Sequence, residues 1–157
     1  MSIIIFSAPI HSGKTTALMN WCRLKNNVAG ILMPDINGTR KFFDIQSKEI
    51  FDAECKQPEI CTEPLITIGP YHFYENAFAK ANNILLNISA TIDHIIIDEI
   101  GKLELQQKGL YAGTTPLISN SSANIILVVR DSLVEAVATA FHLANYSVIH
   151  KAEDIPY

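Results

Sequence analysis

Residues Ser7 to Thr16 read SAPIHSGKTT and stand between an apolar run, Ile3-Ile4-Ile5-Phe6, and a segment of helical periodicity. A short continuous apolar run is the pattern of a strand buried on both faces, as in a parallel sheet covered by helices. Beyond Gly13, Ala17, Trp21 and Leu24 recur at i, i+4, i+7 with Leu18 and Cys22 beside them, which predicts an amphipathic helix. Strand, glycine turn and helix in this order give the pattern G-x-x-x-x-G-K-[ST] its physical meaning. Consecutive backbone N–H groups wrap a phosphate, and the helix N-terminus adds the positive end of its dipole. Gly13 lets the backbone approach the phosphate, Lys14 reaches the β/γ oxygens, and the Thr15 hydroxyl is placed to ligate Mg²⁺. Ala8 stands where the pattern has its first glycine, a mild departure if its φ is negative and a serious one if the loop needs φ > 0. The expected nucleotide-binding set is Ala8, Pro9, Ile10, His11, Ser12, Gly13, Lys14, Thr15 and Thr16.

Two further apolar runs end in charge: Ile95-Ile96-Ile97 in Asp98-Glu99, and Ile125-Ile126-Leu127-Val128-Val129 in Arg130-Asp131. Ser147-Val148-Ile149 predicts a last short strand. Helical stripes lie at Ala77, Phe78, Ala81, Ile84, Leu85 and Ile88, and at Leu133, Val134, Val137, Ala140 and Phe141, the second opened by a capping box of Ser132 with Glu135. From Val28 to Phe73 the pattern changes. Asn37-Gly38 divides Ile31-Leu32-Met33 from Phe42-Phe43-Asp44-Ile45, and Gln46-Ser47-Lys48 precedes Ile50-Phe51, which predicts successive hairpins. Pro58 to Pro64 reads as a surface loop. The fold class is therefore α/β, a three-layer sandwich with a mainly parallel sheet and an antiparallel hairpin extension, with Ile4, Phe6, Ile96 and Val128 buried in central strands.

Composition narrows the possibilities. The 157 residues, 48% hydrophobic and 18% charged, suit one domain spanning 1–157. A net charge of −4 and the lack of a Lys/Arg run argue against dedicated nucleic-acid binding, so an anionic ligand needs a local site. No apolar run approaches the ~18 residues of a membrane span, and MSIIIF lacks the features of a signal peptide. Cys22, Cys55 and Cys61 form no C-x-x-C pair, which disfavours a disulfide framework or a thiolate zinc site and makes a reducing cytoplasm the expected location.

The carboxyl ends of parallel strands form the ligand-binding edge, so Asp98-Glu99 is expected on the same edge as the phosphate loop. Asp98 is the expected second metal residue beside Thr15. Glu99, turned toward the nucleotide, is the expected base that orients or deprotonates an attacking nucleophile. Lys102 either leans over the γ-phosphate as an internal cation or is simply solvated. Arg130 shares this edge; an ion pair with Asp131 or Glu135 is its expected role, with a phosphate contact as the alternative. His94 reads as a packing residue, and Tyr71, Phe73 and Tyr74 as core aromatics that could otherwise stack a base.

With Gly101-Lys102-Leu103-Glu104-Leu105 following, the string IIIDEIGKLEL resembles the small P-loop nucleoside-triphosphatases that include the cancer-related nucleoside-triphosphatase and its thermophilic relatives, whose acidic motif reads close to DEIGKMEL. Gly30 followed by Asn37-Gly38-Thr39-Arg40-Lys41-Phe42 is similar to the family's glycine-and-arginine hairpin, and Ile68-Gly69-Pro70-Tyr71 to its V-G-R-Y segment. The chain departs from the family at Ala8 to Ser12 of the loop, at Pro70, and around Ala152-Glu153-Asp154, where the usual Asn-Arg is missing. The resemblance implies Mg²⁺-dependent hydrolysis of ATP, GTP and other nucleoside triphosphates, slow and broad in base choice; on the reading of the residues above, the expected catalytic groups are Glu99, Lys14 and Lys102.

The residues alone specify phosphoryl chemistry and leave two other classes open. One is a nucleoside or small-molecule kinase, since APIHSGKTT also resembles the G-P-M-F-S-G-K-T loop of thymidine kinases. Those enzymes carry a zinc ribbon of paired cysteines that this chain cannot supply, and their acidic motif continues with Ala-Gln rather than Ile-Gly-Lys. The other is a nucleotide-binding adaptor without turnover.

Overall fold

A computed structural model describes residues 1–157. In chain order the elements are β1 (Ile3–Ala8), α1 (Lys14–Arg23), β2 (Val28–Leu32), β3 (Asp35–Ile36), β4 (Thr39–Asp44), β5 (Ile50–Asp52), β6 (Leu65–Ile68), β7 (Tyr71–Tyr74), α2 (Glu75–Leu86), β8 (His94–Ile100), α3 (Lys102–Leu105), α4 (Tyr111–Asn120), β9 (Asn124–Arg130), α5 (Val134–Ala140) and β10 (Ser147–Ile149). The main sheet runs β10-β1-β9-β8-β2-β4-β3. Its first five strands are mutually parallel, and β4 then pairs antiparallel with β2, β3 and β5.

Alternation along each parallel strand sends successive side chains to opposite faces. Ile3, Ile5, Ile95, Ile97, Ile125, Leu127 and Val129 enter one cluster with Phe78, Ala81 and Leu85 of α2, Leu103 of α3 and Val137 of α5. Ile4, Phe6, Ile96, Ile126 and Val128 enter the other with Leu18, Trp21 and Cys22 of α1 and with Ala152 and Ile155. Both faces are thus covered, which explains why these strands read as unbroken apolar runs and gives the expected three layers. Ile4, Phe6, Ile96 and Val128 are buried as anticipated.

Several local expectations are corrected. Val28–Leu32 belongs to the parallel core beside β8, so the antiparallel excursion begins only at β3 and closes with the separate β6–β7 ribbon. Leu24 lies past the end of α1 and is 84% exposed. The Ser132/Glu135 capping box does not form, because Asp131–Leu133 is a 3₁₀ turn and α5 starts at Val134. Helix α4 is unheralded, since Gly113, Thr114, Thr115 and Pro116 read as helix breakers. It persists because the Thr114 and Thr115 hydroxyls donate to the carbonyls of Leu110 and Tyr111 one turn back, while Asn82 of α2 accepts from the Gly113 N–H at 2.7 Å. The anticipated Pro58 to Pro64 loop contains a 3₁₀ turn at Pro58–Ile60.

Gly30 is required where β2 meets β8. Its φ is +123°, and a Cβ there would stand 1.9 Å from the backbone oxygen of Ile96, its register partner. Backbone inside a sheet cannot give way as a side chain can. Gly30→Ala is therefore expected to cost about 3 kcal/mol or more, read as a lower urea midpoint at an unchanged slope.

Candidate active site

Because β1, β9, β8 and β2 are parallel, their carboxyl ends share one edge, and the residues singled out by sequence gather there. Gly13 precedes α1 with φ 80° and ψ 20°, a left-handed conformation that suits glycine; nothing lies within 4 Å of where its Cβ would be, so conformation and not space demands it. Ala8 ends β1 outside the left-handed region, and the other left-handed residue of the loop is His11 at φ 58°. The substitution of the first glycine is thus accommodated. The Lys14 ammonium donates to the carbonyl oxygens of Ala8 and Pro9, each at 3.0 Å, which folds it across the loop.

Asp98 is buried at the end of β8. Its carboxylate accepts from the Thr15 hydroxyl at 2.7 Å, from the Met33 N–H at 3.0 Å and from the Glu99 N–H at 2.8 Å. Burial first, and the charge of Glu99 second, push its pKa up to about 6 against the effect of those bonds. Between Ile97 and Ile100 the register with β9 slips, so β8 carries an extra residue, and Glu99 sits in this bulge at φ 55°. The bulge turns the Glu99 carboxylate off the strand's alternation, where it meets the Arg40 guanidinium at 2.8 Å. One cavity of about 760 Å³ is lined by Ile10 to Thr16, Asp98 to Glu104, Arg40 and Arg130, with Ile36, Ile68, Tyr71 and Phe73 as an apolar wall.

The Thr15 hydroxyl and the Asp98 carboxylate are hard oxygen donors already at contact distance, which fits Mg²⁺. No group of three or more His, Cys, Asp or Glu side chains comes together to hold a metal, so a cation here depends on phosphate and water for the rest of its shell. Lys102 is the exposed first residue of α3; it lines the cavity and takes part in no ion pair. Arg130 likewise forms no ion pair, contrary to expectation, since Asp131 turns its carboxylate to the Ser132 N–H instead. His94 is buried against Trp21 with Nε2 at 2.8 Å from the Pro156 carbonyl oxygen, a packing residue as expected. Phe73 belongs to the core, while Tyr71 stacks on it and also faces the cavity.

Two residues escaped assignment. Arg40 was visible only as part of the Asn37-Gly38 hairpin, and nothing local says which carboxylate it reaches 59 residues away. Glu104 is buried and accepts from the Gly101 and Leu110 N–H groups at 2.8 and 2.9 Å, which ties the turn after β8 to the start of α4. Burial pushes its pKa up to about 7.

A parallel core carrying a phosphate loop on its first strand and an acidic pair on a neighbouring strand end defines a P-loop nucleoside-triphosphatase fold. A family model described as NTPase matches residues 3–154, and the chain belongs to that family. No curated protein matches it. Among solved structures it is similar to the solution structure of a human cancer-related nucleoside triphosphatase, with a TM-score of 0.70 and 17% identity over 98% of this chain and 90% of that one. It is equally similar to the crystal structure of THEP1 from the hyperthermophile Aquifex aeolicus, with a TM-score of 0.70 and 22% identity over 99% and 92% of the two chains. At these identities the likeness shows the fold.

The raised acids give stability an unusual pH dependence. In the unfolded chain Glu104 titrates near 4.5 and in the fold near 7, so across this window the unfolded state loses its proton first. Stability is full below 4.5 and falls as pH rises to 7, and Asp98 acts in the same direction between 3.8 and about 6. Unfolding by urea at pH 5 and pH 7.5 is expected to show wild type losing about 2 kcal/mol relative to Glu104→Gln over that interval. A pH-independent gap between the two proteins would contradict the burial argument.

Proposed function

We propose that the chain is a Mg²⁺-dependent nucleoside triphosphatase that hydrolyses ATP, GTP and other nucleoside triphosphates to the diphosphate and phosphate, slowly and with broad base choice. The observation that carries this reading is the convergence of the loop hydroxyl of Thr15 on Asp98 at 2.7 Å, with Glu99 one residue further along in the same cavity. In this reading the N–H groups of Ala8 to Thr16 cradle the phosphates, and Lys14 exchanges its bonds to the loop carbonyls for the β/γ oxygens. Thr15 and Asp98 hold Mg²⁺, which when bound neutralises charge developing on the phosphates. Glu99 orients and deprotonates the attacking water, and Lys102 is free to approach the terminal phosphate. Slow turnover has physical support in Lys14, which must leave the carbonyl oxygens of Ala8 and Pro9 before it can reach a phosphate.

The kinase reading draws on the apolar wall of the same cavity, which could receive the body of a hydroxyl acceptor. Phosphate release without any acceptor, then with a panel of nucleosides, separates the two. No helix is long and apolar enough to cross a membrane.

Glu99→Gln preserves size but removes the charge that accepts a proton, so turnover is expected to fall ~10²–10⁴-fold while Mg²⁺-nucleotide binding survives. Retention of wild-type phosphate release would remove Glu99 as the base. Lys14→Ala is expected to weaken triphosphate binding strongly, and unchanged affinity by calorimetry would show that the loop is not the site.

A further inference from the structure

The hairpin of β3 and β4 brings an arginine to Glu99 from across the cavity, and every part of that arm is fixed. The Asp35 carboxylate accepts from the Gly38 N–H at 2.7 Å and sets the turn. The Arg40 N–H donates to the buried Glu54 carboxylate at 2.9 Å, and the Arg40 carbonyl accepts from the Ala53 and Glu54 N–H groups, which pins the backbone. Further out, the guanidinium lies over the Tyr71 ring at 5.8 Å. Its side chain is 15% exposed, against 34% for that of Glu99.

Glu99 has the opposite character. It sits in a bulge in a left-handed conformation, beside a second carboxylate, and its long side chain has no other hydrogen-bond or ion-pair partner. Left alone, it would be driven by repulsion from Asp98 and by rotamer entropy toward solvent. The directional N–H to carboxylate bond is what holds it on the cavity side, and a rigid guanidinium with its ring support loses little freedom in making it.

We infer that Arg40 is a positioning residue for the hydrolytic reaction, holding the Glu99 carboxylate toward the site of the terminal phosphate through the 2.8 Å contact. This rests on the assignment of Glu99 as base in the proposed function. The role differs from that of a phosphate-binding arginine: it acts through Glu99 and disappears when Glu99 has no charge to place.

A double-mutant cycle with Mg-ATP and Mg-GTP tests this. Arg40→Ala is expected to lower kcat about 10–100-fold with KM held within about threefold, because ground-state binding rests on the loop. Arg40→Lys keeps the charge without the planar fork and is expected to recover part of kcat, a rescue that a role in folding alone would not produce. In the Glu99→Gln background, Arg40→Ala is expected to change neither parameter. A further fall in kcat in that background, or a large rise in KM in either, would overturn positioning in favour of direct phosphate contact, and a wild-type kcat in Arg40→Ala would overturn it outright. If Arg40→Ala does not fold, Arg40→Lys and Arg40→Gln complete the same cycle. Should Glu99→Gln itself retain turnover, the base assignment fails; an impaired Glu99→Gln with additive Arg40 effects defeats only the positioning role.

Discussion

The carboxylate of Asp98 accepts a hydroxyl from α1, a backbone N–H from the segment leaving β2 and a backbone N–H from its own successor, and these three bonds fasten separate parts of the chain at one point. A charged group sealed from water is tolerated only when its oxygens are satisfied, and here all the partners belong to the site. The phosphate loop is held at a fixed distance from β8 by Thr15, the start of the hairpin excursion by Met33, and the bulge by the Glu99 N–H. The carboxylate that would meet the metal is also the one that sets the local architecture.

The site divides between two structural systems. Loop, acid and Arg130 come from the parallel core, whose strand ends coincide because the strands run the same way. Arg40, Ile36, Ile68 and Tyr71 come from the antiparallel excursion between β2 and α2. In the proposed reading the core would hold phosphate and metal, while the excursion forms the surroundings of Glu99. On that reading, variation in the hairpins would alter the surroundings of Glu99 without disturbing the phosphate loop.

What the sequence disclosed follows the range of the forces involved. The loop, β8 and β9 were legible because a strand covered on both faces must be apolar throughout, and because Gly13-Lys14-Thr15 is read from adjacent residues. The Asn37-Gly38 turn was legible for the same reason. Helix α4 was hidden, since its threonines are satisfied by its own carbonyls and by α2, neither of which shows in propensity. Arg40 and Glu104 were harder still: one owes its place to a partner on another strand, the other to burial under a turn. Glycine at position 30 seemed only a point of resemblance until the Ile96 carbonyl explained it.

The place of β1 in the sheet bears on how the molecule comes into being. The first strand of the chain has as its neighbours β9 and β10, which end at Arg130 and Ile149. While a ribosome extends the chain, Ile3 to Phe6 have no strand to lie beside until most of the sequence has been synthesised, although all four are buried in the finished protein. Closing so long a loop is entropically slow, so β2, β8 and their helices can gather before the nucleotide loop has a strand to stand on. The phosphate loop thus gains its supporting strand late in the life of the nascent chain, and until then an unpaired apolar segment is what a chaperone would find.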